Sequence, residues 1–122
     1  MKGRINTQQG DICFDQDVVA KYAAHCASEC FGVVGLASVN MKDGLAKLLK
    51  GENITQGVNL TTENDELKID LHIIVAYGVS ISTVCENLMN DVKYRVQEFS
   101  GLKVRTVNVF VEGVIVMDDD KA

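Results

Sequence analysis

Leu67-Lys68-Ile69-Asp70-Leu71-His72-Ile73-Ile74-Val75-Ala76-Tyr77 is the stretch that decides the fold. Leu67, Ile69, Leu71, Ile73 and Val75 alternate with Lys68, Asp70, His72, Ile74 and Ala76. A period of two puts successive side chains on opposite faces, so this is a strand with one face turned to a core. Gly78 ends it. Upstream, Gly57–Thr62 reads as a second arm, and Glu63-Asn64-Asp65-Glu66 is a polar connection of four residues. The pair is predicted to be an antiparallel hairpin.

Beyond Gly78 the period changes. Ser80 or Ser82 can cap a helix whose apolar stripe is Ile81, Val84, Cys85, Leu88, Val92, Val96 and Phe99. Gly101 stands where a left-handed residue closes a helix. Such a helix is about 30 Å long, as long as a small domain is wide. Lys103–Val111 then reads as a strand, with Val107, Val109 and Val111 on one face and Val104, Thr106, Asn108 and Phe110 on the other. Gly113 is a bulge or bend before Val114–Met117.

On the N-terminal side, residues 1–9 form a polar segment and Gly10–Phe14 a short strand. Asp15 or Asp17 caps a helix with the stripe Val19, Tyr22, Ala23, Cys26, Ala27 and Cys30. Gly32-Val33-Val34-Gly35 reads as a turn, Leu36–Asn40 as a short strand and Gly44–Lys50 as a short helix. Together these elements predict an α+β, two-layer sandwich: a mixed or antiparallel sheet with two main helices on one face. Residues 10–117 are the single domain, and 118–122 form an acidic tail. A sheet covered on one side leaves its other face to water or to a partner. That face carries Lys68, Asp70, His72, Ile74, Thr106, Asn108 and Phe110, and His72, Ile74, Asn108 and Phe110 are the candidate interaction residues.

Composition narrows the function. The chain has 122 residues, a net charge of −5, 47% hydrophobic residues, ten glycines and no proline. It is apolar enough to form a core and long enough for one domain. No apolar run approaches the roughly 20 residues of a transmembrane helix, and no export signal is expected. A location in the cytoplasm is therefore expected, peripheral to the membrane only through a partner. The acidic balance argues against nucleic acid, although Asp118, Asp119 and Asp120 in the tail account for part of it.

Three kinds of chemistry can be weighed. His25, Cys26 and Cys30, with Cys85 from the facing helix, could approach a metal, since Cys26 and Cys30 lie one turn apart. Both thiols fall on the apolar stripe, however, where cysteine behaves as a small hydrophobe. No metal or cofactor is therefore expected. A thiol enzyme or small-molecule site using Cys85 or Cys26 is an alternative, and it would need a base and a depressed pKa. The Gly32–Gly35 spacing matches the bare GXXG of an RNA-binding loop, but with valines in the middle and no adjacent cation. No catalytic motif is present.

Three blocks carry a likeness. The first is Phe31-Gly-Val-Val-Gly35 with Gly44-Leu-Ala-Lys-Leu-Leu-Lys-Gly51. The second is Thr55-Gln-Gly-Val58 leading into Ile69–Gly78. The third runs from Gly101 to Val114. With the opening Gly10–Ala20, they resemble the alkaline shock, or envelope stress response, protein family of mainly Gram-positive bacteria, over roughly residues 8–117. The resemblance implies a cytoplasmic α+β domain without enzymatic activity, linked to cell-envelope homeostasis. It also implies action through self-association or a membrane-anchored partner. Cys26 and Cys30 depart from the family's usual aliphatic residues.

Overall fold

The computed structural model describes residues 2–38, 49 and 51–116. The strand over Leu67–Tyr77 is present as β5, Glu66–Ala76, and it is the spine of the main sheet. Leu67, Ile69, Leu71, Ile73 and Val75 are all buried. Each such burial contributes on the order of 1.5–3 kcal/mol. β4 (Val58–Glu63) pairs antiparallel with its first half, Leu60 opposite Ile69 and Glu63 opposite Glu66. β3 (Val33–Leu36) pairs antiparallel with its second half, Leu36 opposite Ile73 and Val33 opposite Val75. Those two strands therefore lie end to end along one edge of β5.

The hairpin turn is tighter than the sequence pattern predicts. Asn64 and Asp65, with φ of 53° and 64°, form a two-residue turn, and Glu63 and Glu66 join the ladder. Two successive positive φ values match the right-handed twist of the flanking strands, and Asn and Asp tolerate them better than most residues.

α2 (Ile81–Ser100) begins at Ser80, whose Oγ accepts the Thr83 N–H. It closes at Gly101, at φ 75°, whose N–H donates to the Gln97 carbonyl at 2.8 Å. The length of α2 sets the direction of the last strand. β5 carries the chain roughly 36 Å one way, and α2 carries it roughly 30 Å back. The next strand must therefore start beside the start of β5 and run parallel to it. β6 (Val104–Ile115) does so along the edge of β5 not used by β3 and β4. The sheet is mixed, one of the two forms the sequence allows.

β6 carries two irregularities, at Arg105 and at Glu112, where the register against β5 slips by one residue. The first corrects one expectation. Val104 is fully buried in the core with Val107, not on the outer face with Thr106, because the extra residue at 105 resets the alternation.

α1 (Gln16–Ser28) is capped by Asp15, which accepts the Asp17 N–H. Its expected stripe packs inward, with Cys26 fully buried and Tyr22 and Cys30 half-buried. The two helices run antiparallel on one sheet face. Tyr22 stacks on Phe99 with ring centroids 4.3 Å apart, and farther along Arg95 reaches Glu29 at 3.1 Å. Two segments differ from the sequence reading. Residues Lys2–Thr7, read as a polar segment, form β1, which pairs with β2 (Gly10–Asp15) in a separate two-stranded sheet. Gly32–Gly35 was expected as a turn, but its last three residues are strand; only Gly32, at φ 86°, makes the turn, and a Cβ there would meet the Val84 side chain at 2.6 Å. A 3-10 helix spans Gly51–Gly57. Of the strand expected at Leu36–Asn40, Leu36 is the last residue of β3, and residues 39 and 40 lie outside the described residues. The helix expected at Gly44–Lys50 lies outside the described residues, apart from Leu49.

Candidate interaction face

The face of the sheet away from the helices holds an ordered cluster. β5 sends Lys68, Asp70, His72 and Ile74 to this side, and the parallel register sets Thr106, Asn108, Phe110 and Gly113 beside them. Asn108 Nδ2 donates to Asp70 Oδ1 at 2.9 Å. The His72 ring stacks on Phe110, centroids 4.7 Å apart and planes 11° from parallel. His72 Nδ1 lies 2.6 Å from Glu112 Oε2, with side-chain exposures of 16% and 22%. The carboxylate accepts from Nδ1–H, which fixes the ring plane and leaves Nε2 facing away from it. Phe110 is 45% exposed.

The four expected residues are thus brought together with one difference. Ile74 is only 2% exposed. It sits between Gly35 and Gly113 on the neighbouring strands and presents almost no surface. Alternation along β5 identifies the face of a residue but not what lies over it.

Glu112 is the member that sequence reasoning misses. Simple alternation after Phe110 puts position 112 on the outer face, yet in the sequence only Gly113 marks an irregularity there. What assigns Glu112 to His72 is the parallel pairing of β6 with β5, which the sequence leaves open. The Asp70–Asn108 bond depends on the same register.

Cys26 lies in the core and Cys30 packs against it, while Cys85 is half-buried and Cys13 exposed. Burial pushes the Cys26 and Cys85 thiols up from their ordinary value. Burial, reinforced by Asp91, pushes Cys30 up to about 11. A nucleophilic cysteine needs the opposite shift. Cys30 Sγ lies 3.6 Å from Asp91 Oδ2 and 3.5 Å from the Cys26 carbonyl. His25 turns away from both thiols and pairs with Glu29 at 2.9 Å. Among the described residues no group of three or more His, Cys, Asp or Glu is placed to hold a metal ion. Three of the four GXXG residues belong to β3, so the segment is not a phosphate-cradling loop. Ile12, Phe14, Val18, Phe99 and Leu102 line an open apolar groove of about 310 Å³. Among the described residues Asp15 and Ser100 are the only ones with polar side chains lining it, fewer than a small-molecule site uses to fix a ligand's orientation. No helix among the described residues is long and apolar enough to cross a membrane.

The profile of the alkaline shock protein 23 family, described as having a cell envelope-related function, matches residues 4–116. The chain belongs to that family. The matched region begins inside β1 and ends after β6, so it takes in the small hairpin as well as the main sheet. The chain is 42% identical over 115 residues to the uncharacterized protein YloU of Bacillus subtilis, covering 93% of this chain and 96% of that one. It is 36% identical over 121 residues to the uncharacterized protein Spy1614 of Streptococcus pyogenes, covering 98% and 100%. A stress response regulator gls24 homolog of Streptococcus pyogenes is 26% identical over 106 residues, 84% of this chain and 58% of its own length. These relatives carry no enzyme's name. No solved structure matches the chain.

Proposed function

We propose that this alkaline shock family member is a non-enzymatic interaction protein of cell-envelope homeostasis. It acts through contacts with other protein chains, either its own copies or a membrane-anchored partner, made by the outer sheet face. The observation that carries this reading is the His72–Phe110 stack held by Glu112. A half-exposed aromatic ring locked against an oriented imidazole has no role in the helix-side core, yet His72, itself held by Glu112, restricts its motion. Pre-ordered aromatic groups of this kind anchor protein interfaces, because little freedom is lost when a partner covers them. The raised thiols speak against thiol catalysis, and four free cysteines suit the reducing cytoplasm.

The test is Phe110→Glu. A buried interfacial aromatic replaced by a charge is expected to weaken binding by about 2 kcal/mol or more, roughly thirtyfold. Capture from native extract, with and without its membrane fraction, should lose a species that the wild type retains, while helical content stays the same. Unchanged capture by the folded variant refutes the reading.

A further inference from the structure

The end of the sheet where β5 stops carries a surface that the interaction cluster does not use. Main-chain hydrogen bonds bring three segments together there. The Ala76 N–H donates to the Gly32 carbonyl at 3.0 Å, and the Tyr77 N–H donates to the Ile115 carbonyl at 2.8 Å. Phe31, Tyr77 and Val116 therefore lie close together across the ends of β3, β5 and β6. Gly32 lies against Val84, which sets the first turn of α2, with Ile81, over the same end.

Among the described residues, eleven large apolar side chains are exposed. Six of them gather at this end: Phe31, Tyr77, Ile81, Val114, Ile115 and Val116. Soluble surfaces carry such residues singly, and a gathered set marks a contact. Phe31 at 84%, Tyr77 at 73% and Val116 at 70% exposure stand clear of their neighbours, so this end is a convex tip, not a groove. It also lacks charge. Residues 30–34, 75–85 and 113–116 hold no Asp, Glu, Lys, Arg or His, in a chain that is 24% charged. Glu29 and Glu112, which border them, are paired with Arg95 and His72. The opposite end of the sheet is the reverse. There Lys103 pairs with Glu66, Arg105 pairs with Glu63, and Asn64-Asp65 forms the turn. The domain is amphipathic from end to end.

We infer that the charge-free tip inserts into the interface of a lipid bilayer. Polarity changes along the strands, and a planar apolar phase selects that gradient. A bilayer accepts a convex tip without a matching pocket, provided that no charge enters with it. Tyr77 suits the headgroup level, where the ring is buried and the hydroxyl stays wet. Insertion is shallow. The turns at the tip have N–H and C=O groups that need water, so entry stops at the boundary between headgroups and acyl chains. The inference goes beyond contact through a membrane-anchored partner, because the chain itself touches lipid. The His72–Phe110 cluster, four residues back along β5, stays free for proteins beside the membrane.

Flotation of the full chain with phosphatidylcholine vesicles tests it. The wild type should float with the vesicles. The tip supplies no cation, so phosphatidylglycerol is not needed and added salt should not release the protein. Phe31→Ser should lower the partition coefficient roughly tenfold. Tyr94→Ser, at an exposed position on α2, should leave it unchanged. The chain has no tryptophan, which makes Tyr77→Trp a single reporter. Its emission should shift to the blue with vesicles and be quenched by brominated acyl chains, whereas Tyr94→Trp should show neither effect. A wild type that does not float overturns the inference. So does binding that requires phosphatidylglycerol and is lost in salt, an unshifted emission from Tyr77→Trp, or a Phe31→Ser variant that floats like the wild type. Loss of a captured protein by Phe31→Ser in extract freed of membranes would assign the tip to a protein and overturn it as well. Phe110→Glu separates this inference from the proposed function, since it should lose captured protein and still float. A wild type that does not float, while Phe110→Glu loses capture, removes the lipid contact and leaves the proposed function standing. Flotation with capture insensitive to Phe110 does the reverse.

Discussion

The Cys30 thiol makes the fold sensitive to alkali within a defined window. Burial, with Asp91 next to the sulfur, holds its pKa at about 11, against 9.0 for an ordinary thiol. Arg95, which pairs with Glu29 and Asp91, opposes the shift without cancelling it. Below pH 9 the thiol is protonated in both folded and unfolded chains and contributes nothing to the pH dependence. Between pH 9 and 11 the unfolded chain gives up the proton and the folded chain keeps it. The unfolded state then binds fewer protons, so stability falls as pH rises. Two full pH units would correspond to about 2.7 kcal/mol. Cys30 is only partly buried, and water screens some of the penalty, so a loss of about 1 kcal/mol is expected. Urea unfolding of wild type and Cys30→Ala at pH 8, 9, 10 and 11 isolates the effect, because tyrosines and lysines titrate equally in both. The variant starts lower from lost packing, and the gap between the two proteins should narrow by about 1 kcal/mol across the window. A gap that stays constant would show that the thiol is not desolvated in the native state and would refute this reasoning.

Three further outcomes are expected from packing. Gly32→Ala should destabilise the fold by about 2 kcal/mol or more in thermal unfolding, because it combines a positive φ with a Cβ driven into Val84. Leu88→Ala, at a fully buried α2 position, should cost about 2–5 kcal/mol, and a loss below 1 kcal/mol would contradict its place in the core. Thiol labelling of the native protein should modify exposed Cys13 first and buried Cys26 last, and rapid labelling of Cys26 near neutral pH would revive the thiol-enzyme alternative.

The strong periodic signals of the sequence are kept in the structure. β5, α1 and α2 lie where alternation and three–four spacing put them, since their patterns reflect burial on one face. The N-terminal strand is illegible in sequence because Ile5 is its only aliphatic side chain. β1 is held by its ladder to β2, by the Arg4–Asp11 pair and by the bond from Asn6 N–H to Asp65 Oδ1 at 3.1 Å. None of these leaves a hydrophobic period. At Gly32–Gly35, glycine reads as a turn in sequence, but Gly35 is accommodated in β3 opposite Ile74 at a register shift. The candidate face is legible in outline, because His72, Asn108 and Phe110 share it. Its internal bonds are not, because they depend on a parallel register and on irregularities at Arg105 and Glu112.

Site-specific photo-crosslinking in living cells addresses the central claim most directly. A photoreactive phenylalanine analogue placed at Phe110 keeps the aromatic ring. The same analogue at Tyr94, an exposed aromatic on α2, serves as the control. The account predicts a discrete protein adduct from position 110 and none from position 94. Equal labelling at both positions, or no adduct at 110, would contradict the assignment of the outer sheet face as the surface through which this protein works.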